Sequence, residues 1–521
     1  MTQYSILWAD DEIDLLKPYI MFLEAKGYEV MGVNSGSDAL DKIKERNFDV
    51  VFLDENMPGL SGLEVLGRIK QSHPNLPVVM ITKSEEEKIM EEAIGSKIAD
   101  YLIKPLNPNQ ILLSVKKIFD KKRLEEETTT INYQQEFKQL AMQYQDDISH
   151  SQWADIYKKL IYWELEIDAT QNKSMEDILA MQKQEANAKF CKFIRENYEE
   201  WISNPRGDRP VFSHQLMRKK VFPLLQEGGS PVFFLLIDNL RFDQWKTIEP
   251  MLREYFTIEE ESSYYAILPT ATGFARNAIF SGMMPSEMEK QYPKLWINDV
   301  EDNDEGLNNH EEEFMQLQLQ RSRLNVKMSY HKVLNLNQSK HLLENFNNMM
   351  QNQLNVIVYN FVDMLSHART DMAMIKELAP DESAYRSITK SWLQHSPLLD
   401  LIKKIADKKG KLIITTDHGM IRVQRPSKIV GDRSVNTNLR YKQGRNLNFD
   451  AGNHITVFRN PEKIGLPKIN VSTTYVFTNE DYFFAYPNNF NYYVNHYKDT
   501  FQHGGISLEE MIVPFVSLKA K

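Results

Sequence analysis

The residues best suited to chemistry in this 521-residue chain are carboxylates that close apolar runs. Asp10 and Asp11 follow SILWA, and Asp54 follows VVFL within the stretch FLDENMPGLSG. Thr82 closes PVVMIT, and Lys104 precedes Pro105 after YLI. Farther along, Asp238 follows VFFLLI, Asp363 follows NVIVYNFV, and Asp417 with His418 follows KLIITT. A lone Asp in such a place ordinarily forms a turn or caps a helix. Three of them in one region, with an imidazole beside the last, point to a bound cation instead.

The first group is all oxygen. Clustered carboxylates suit Mg²⁺, a hard cation that keeps several waters and needs few protein ligands. A hydroxyl at Thr82 and an ammonium at Lys104 could hold phosphoryl oxygens in the same crevice. The second group mixes oxygen with nitrogen, which favours Zn²⁺ or Mn²⁺. His367 lies four residues after Asp363, so a helix there would put both on one face. His395, His454, His496 and His503 follow. Spacing does not separate His503 from His454, although the glycines of QHGG let the backbone close around a metal at His503. The segment ILPTATGFARNAIFSG offers Thr270 and Thr272 as nucleophiles between a strand and a helix. The field at a helix N-terminus favours an anionic phosphate, and coordination to a cation would lower the hydroxyl's pKa. Arg276, one helical turn beyond Thr272, could neutralise a phosphate or form a surface ion pair. Between Asp417 and His454 lie Arg422, Arg425, Lys428, Arg433, Arg440, Lys442 and Arg445, a basic stretch that could track a phosphate backbone.

These groups need elements that bring them together. In the first part of the chain, apolar runs at 5–9, 29–33, 49–53, 77–82 and 99–103 alternate with amphipathic stretches. That is the β/α alternation of a doubly wound parallel sheet, whose strand ends converge on one crevice. From about Pro108 the pattern turns helical. Thr128–Thr130 and Asn132 read as a break, and 133–201 as a small helical bundle, a spacer or dimer platform. The turn formers of 205–210 mark the next boundary. After it β/α alternation resumes, with strands expected at 232–237, 355–362 and 411–416. The acidic stretch 299–314 reads as a surface insertion. The expected organisation is therefore a multidomain α/β chain: 1–122, a helical linker and bundle over 123–205, and a second α/β domain over 206–521.

Composition bounds the function. Hydrophobic residues make up 42%, enough for packed cores. A net charge of −10 disfavours non-specific duplex binding, and the helical segment alternates acids with bases without a basic recognition helix. We therefore expect no sequence-specific DNA binding. The single cysteine, Cys191, allows no internal disulfide and fits a reducing cytoplasm. The opening MTQYSILWADDE has carboxylates where a signal peptide needs an apolar run. No stretch approaches the ~20 apolar residues of a membrane span, so no membrane insertion is expected.

The paired acids, the run from Asp54 to Gly62, Thr82 and Lys104–Pro105 together resemble the receiver domain of response regulators, with its flavodoxin-like doubly wound sheet. The resemblance implies that Asp54 accepts a phosphoryl group from a sensor histidine kinase. It further implies that Asp10, Asp11, Asp54 and Asn56 bind Mg²⁺, that Lys104 contacts the phosphoryl group, and that Thr82 and Tyr101 form the switch pair. A new phosphate would add charge of about −1.5 to −2.

The motifs IDNLRFDQW, LPTATGFARNAIFSG, VDMLSH, TTDHG and HGGISLEEMIVPFV resemble a PglZ domain of the alkaline phosphatase superfamily. The resemblance implies two Zn²⁺ ions, one held by Asp238, Asp417, His418 and Thr272, the other by Asp363, His367 and His503. It makes Thr272 the nucleophile, with Thr270 in reserve, and phosphothreonine the intermediate. The whole arrangement is similar to response regulators associated with type IX secretion. That similarity implies a zinc phosphodiesterase acting on cyclic and linear oligonucleotides, phosphorylation-promoted homodimers, and an extracytoplasmic-function sigma factor as a partner. The competing expectation is a non-catalytic signalling module whose metals hold a surface that docks a sigma factor or secretion component.

Overall fold

The computed structural model describes residues 4–83, 98–144, 148–170, 172–226, 228–297, 307–431, 436, 438–450 and 452–521, with side chains throughout except at 121–127, 371 and 373–375. The chain divides into two compact units, Met1–Asn132 and Tyr133–Lys521.

In the first unit, strands β1 (Ser5–Ala9), β2 (Glu29–Val33), β3 (Val50–Asp54), β4 (Val78–Thr82) and β5 (Asp100–Ile103) form a parallel sheet in the order β2-β1-β3-β4-β5. This is the flavodoxin-like order, with its switch point between β1 and β3. The central strands are apolar except at their end residues Ser5, Asp54 and Thr82, because helices cover both faces. Leu7, Leu53 and Met80 pack on one side with Val65, Leu66 and Ile69, while Ile6, Trp8 and Phe52 pack on the other with Ile111, Val115 and Phe119. Gly62, which opens the helix Gly62–Ser72, is required by packing: a Cβ there would lie 2.3 Å from the Asp54 carbonyl oxygen.

The break expected at 128–132 is absent. One helix runs Pro108–Gln143. β-branched threonines cost a helix only a few tenths of a kcal/mol each, roughly. Tyr133 and Leu140, buried at 1% and 0% exposure, anchor the continuation in the second unit's core.

The second unit contains the helices His150–Thr170 and Lys173–Ser203 and a six-stranded sheet. Its strands are β6 (Val232–Ile237), β7 (Phe256–Tyr265), β8 (Met328–Val333), β9 (Leu354–Tyr359), β10 (Lys411–Thr415) and the C-terminal strand Ile512–Ala520. The order is β7, C-terminal strand, β10, β6, β9, β8. The strands β10, β6, β9 and β8 run parallel, and the C-terminal strand is antiparallel to both of its neighbours. The helices of 150–203 share one hydrophobic core with this sheet: Trp153, Tyr157, Phe190 and Tyr198 belong to the same cluster as Phe212, Phe242, Tyr265 and Phe515. Among the described residues no helix is long and apolar enough to cross a membrane.

Candidate functional site

In the first unit, β1 and β3 deliver their terminal carboxylates to one crevice. Asp10, Asp11 and Asp54 offer oxygens that all lie within 4.8 Å of one another. Asp10 and Asp54 are buried and Asp11 is exposed. Lys104, just past β5, reaches Asp10 Oδ2 at 2.9 Å and Asp54 Oδ1 at 2.5 Å. Burial raises the Asp54 pKa, the Asp10 charge adds to this, and Lys104 opposes it. The backbone N–H of Asn56 donates to Asp54 Oδ2 at 3.1 Å. The Thr82 hydroxyl donates to the Glu55 carboxylate, and Tyr101 is half-buried against the core.

In the second unit, the same strand-end logic assembles two further groups. Asp238 follows β6, Asp417 and His418 follow β10, and their ligand atoms lie within 4.8 Å of one another. Asp363 and His367 sit on the helix Phe361–Asp371, which follows β9, and His503 follows the short strand Phe501–Gln502; they form the other group. The rings of His418 and His503 stack at 4.3 Å, so the two groups adjoin. His454 takes no part: its Nε2 faces Ser427 Oγ at 3.2 Å, and its ring lies against Tyr482. His395 and His496 are likewise outside both groups.

The geometry tests whether cations fit. The Asp238 Oδ2 accepts from Arg276 at 2.6 Å, while its Oδ1 is buried without a partner. The Asp417 Oδ1 accepts from the N–H of His418 at 3.2 Å and of Asn239 at 3.4 Å, while its Oδ2 is buried without a partner. Leaving a buried carboxylate oxygen bare is costly, so each carboxylate is tied on one side and open to a cation on the other. The histidines follow the same plan. His418 Nδ1 lies 3.1 Å from the Gly419 carbonyl, and His503 Nδ1 lies 3.2 Å from the Thr270 carbonyl. A carbonyl only accepts, so Nδ1 carries the proton and Nε2 of each ring presents a lone pair that could bind a metal. Burial drives both imidazole pKa values down to about 4, which keeps the rings neutral. Burial and the charge of Asp238 push Asp417 well up. Gly419 is required here, since a Cβ would lie 2.0 Å from the Glu509 carbonyl oxygen. The donor set, carboxylates with imidazole Nε2, suits Zn²⁺.

Thr272 is the first residue of the helix Thr272–Ser281, and its Oγ1 lies 3.0 Å from His418 Nε2. The N-cap is Ala271, which supplies no side-chain acceptor, so the helix end faces the site uncapped. Thr270 is fully buried, donating to the Gly505 carbonyl at 2.8 Å and accepting from Gly504 N–H at 3.1 Å. Its hydroxyl is committed to the backbone.

Three expectations change. Arg276 forms a buried pair rather than a surface one: it is 1% exposed and donates to Asp238 and, at 2.5 Å, to Glu311. Its helix is buried from Gly273 to Ser281, so this turn faces protein rather than the crevice mouth. Glu311 itself lies in the stretch taken as a surface insertion; 299–306 falls outside the described residues, but Leu307, Glu311 and Phe314 are buried. The basic stretch is also largely spent internally. Arg440 is fully buried against Glu510 at 2.6 Å, and Lys442 is fully buried. Arg425 pairs with Glu480 and Asp481, and Arg422 with Asp499. Lys428 and Arg445 are exposed, and Arg433 lies outside the described residues. Sequence reading passed over Asn239, Glu311 and Thr416. Thr416 Oγ1 accepts from Leu240 N–H at 3.0 Å and so braces the Asp417 turn against the end of β6.

Comparison with known proteins matches this architecture in three pieces. A family model described as the BREX system PglZ alkaline phosphatase-like domain matches residues 216–518. One described as the PorX response regulator linker domain matches 123–202, and the response regulator receiver domain matches 6–116. Among curated proteins, the chain is similar to the transcriptional regulatory protein ZraR of Klebsiella oxytoca, 35% identical over 128 residues, which is 25% of this chain and 29% of that protein. It is 33% identical over 112 residues to the transcriptional regulatory protein ResD of Bacillus subtilis (strain 168), which is 22% of this chain and 46% of that protein. The chain thus spans under half the length of these relatives. Similar solved structures include a CheY-like receiver domain protein from Methanospirillum hungatei JF-1, at 26% identity and a TM-score of 0.23, covering 23% of this chain and 96% of that one. Another is the chemotaxis protein CheY4 of Vibrio cholerae, at 27% identity and a TM-score of 0.22, covering 22% of this chain and 99% of that one.

Proposed function

Because this chain belongs to the PglZ alkaline phosphatase-like family and carries that domain together with a response regulator receiver domain, we propose that it is a two-component regulator whose output is catalytic. In this reading 1–122 is the receiver, 123–205 the helical linker and 206–521 the output domain. Phosphorylation of Asp54 by a sensor histidine kinase, with Mg²⁺ on Asp10, Asp11, Asp54 and Asn56 and with Thr82 and Tyr101 as the switch pair, controls a zinc-dependent phosphodiesterase acting on cyclic and linear oligonucleotides.

The observation that carries the catalytic part is the pair of bare, buried carboxylate oxygens on Asp238 and Asp417, grouped with His418, whose Nε2 lies 3.0 Å from Thr272 Oγ1. One Zn²⁺ would be held by Asp238, Asp417, His418 and Thr272, the other by Asp363, His367 and His503. Zn²⁺ bound there supplies Lewis-acid polarisation of phosphoryl oxygens and lowers the pKa of a coordinated hydroxyl. The chain's own groups do the rest. The uncapped helix end at Thr272 binds phosphate oxygens through its N–H groups. Thr272 Oγ1 attacks phosphorus, the Oγ–P bond forms as the ester P–O bond breaks, and the alcohol leaves. Hydrolysis of the phosphothreonine then restores the hydroxyl. Arg276 acts through Asp238, holding the carboxylate with its second oxygen toward the cation.

The match to the PorX linker domain supports the remainder of the reading: a cytoplasmic protein that forms a homodimer on phosphorylation, works with an extracytoplasmic-function sigma factor and regulates type IX secretion. The test uses purified full-length protein, elemental analysis for zinc, and hydrolysis of a diester, a monoester and a short oligonucleotide with and without beryllofluoride. Diester turnover should fall more than about 10³-fold in Thr272→Val. A wild-type protein without bound transition metal, or a Thr272→Val variant with unchanged turnover, refutes the catalytic reading. Intact signalling by Thr272→Val in cells would make docking, not hydrolysis, the output that matters.

A further inference from the structure

Asn239 occupies the first position beyond Asp238, at the end of the strand that lies between the other two metal-bearing strands. On one side is β10 with Asp417, on the other β9 with Asp363. Asn239 is fully buried and contacts both. Its backbone N–H donates to Asp417 Oδ1 at 3.4 Å, and its Nδ2 donates to Asp363 Oδ1 at 3.1 Å. Its φ is +65°, in the left-handed region. That conformation costs an ordinary L-residue about 1–2 kcal/mol, and Asn tolerates it better than most. Glycine would take the same turn with less strain. The backbone alone therefore gives no reason for a side chain here, and what the carboxamide adds is its contact with Asp363.

Asp363 needs such a contact. It is on a helix that begins after β9, and its two group-mates are distant in sequence or exposed: His503 Nε2 lies 3.7 Å from Oδ1, and His367, whose side chain is 61% exposed, lies 3.5 Å from Oδ2. The Arg276 and Thr416 braces serve the Asp238–Asp417 side only. Nδ2 of Asn239 is thus the hydrogen-bond donor that fixes the Asp363 carboxylate from the central strand.

We propose that Asn239 is a positioning residue that links the two subsites: its N–H fixes Asp417 and its carboxamide orients Asp363, so the Asp363–His367–His503 subsite depends on the Asn239 side chain while the other does not. The proposal rests on the two-metal reading above. Groups that orient a metal ligand are worth about 10–100-fold in metal affinity.

The experiment exploits the split between backbone and side chain. Asn239→Gly keeps the N–H and suits φ +65°, but removes the carboxamide. Zn²⁺ is titrated into metal-free full-length protein against a chromophoric chelator, with stoichiometry from elemental analysis. Wild type should take two ions. Asn239→Gly should keep the Asp238–Asp417–His418 site within about twofold and weaken the Asp363–His367–His503 site by about 10–100-fold. A double-mutant cycle supplies the second measurement: in an Asp363→Ala background, Asn239→Gly should leave the remaining site unchanged. Equal affinities in wild type and Asn239→Gly overturn the proposal. So does a matching fall at both sites, or a further loss in the Asp363→Ala background. A wild type that takes only one ion, by contrast, refutes the two-metal reading itself.

Discussion

Arg276 shows what a single side chain is asked to hold at this site. Its guanidinium joins Asp238 to Glu311, and all three groups are at most 1% exposed. Glu311 also accepts from the Tyr330 hydroxyl and lies 3.6 Å from Lys332. Removing one member of a buried pair is worse than never having had the pair, because the partners stay charged and unpaired. Arg276→Met should therefore cost about 3–5 kcal/mol of unfolding free energy in the metal-free protein, read as a lowered urea midpoint with an unchanged slope. Arg276→Lys keeps the charge but not the fork that serves two carboxylates, so it should recover only part of the loss. Equal midpoints for all three proteins would show that Asp238 and Glu311 do not depend on the guanidinium.

Helix Lys173–Ser203 ties the linker region to the output sheet through polar as well as apolar contacts. The Cys191 thiol donates to the Ile506 carbonyl at 3.1 Å and accepts from Glu480 N–H at 3.4 Å, and Asn187 bonds both Glu509 and Leu508 N–H. Burial pushes the Cys191 thiol up. A raised thiol pKa means the neutral form is favoured in the folded chain, so at pH 8 the native protein presents almost no thiolate while the unfolded chain is partly ionised. Reaction with an aromatic disulfide reagent at pH 8 should be more than about 10²-fold slower for native than for urea-unfolded protein. A comparable native rate would mean that this helix is not packed as described. The elements differ in how far they were legible beforehand. The runs VFFLLI and KLIIT were plain because strands buried on both faces have apolar interiors, and their carboxylates followed at once. The strands Tyr441–Gly444, Ile455–Phe458 and Thr474–Thr478 were not, because they are short and mix polar with apolar residues, and Tyr482–Ala485 was not, because its partner Arg425–Val430 lies on the far side of those strands in the chain. Glu311 was hidden for a different reason. One acid in an acidic run looks solvated until Arg276 is seen behind it. Local spacing offers His503 and His454, and Thr272 and Thr270, equally; the PglZ resemblance picks His503 and Thr272, and it is tertiary contacts that set His503 beside Asp363 and Thr272 beside His418.

The whole molecule is two compact units, each with its own core and its own crevice of clustered carboxylates. Units with separate cores need not unfold together, and a ligand stabilises only the unit whose native state binds it. Calorimetry of the full-length protein should therefore show two transitions. Removing transition metal with a chelator should lower only the one belonging to Tyr133–Lys521. Asp238, Asp417 and Asp363 would then face one another with only Arg276, which pairs with Asp238, as a fixed counter-charge, and the linkage free energy, about 2.7 kcal/mol at a hundredfold excess over Kd, is lost. For a unit of this size that corresponds to a shift of at least a few degrees, roughly. Adding Mg²⁺ and beryllofluoride should raise only the transition of Met1–Asn132, and Asp54→Ala should abolish that rise while leaving the chelator-sensitive transition where it was. The assignment of each crevice to its own unit fails if chelation moves both transitions equally, or if the Asp54→Ala protein still responds to beryllofluoride.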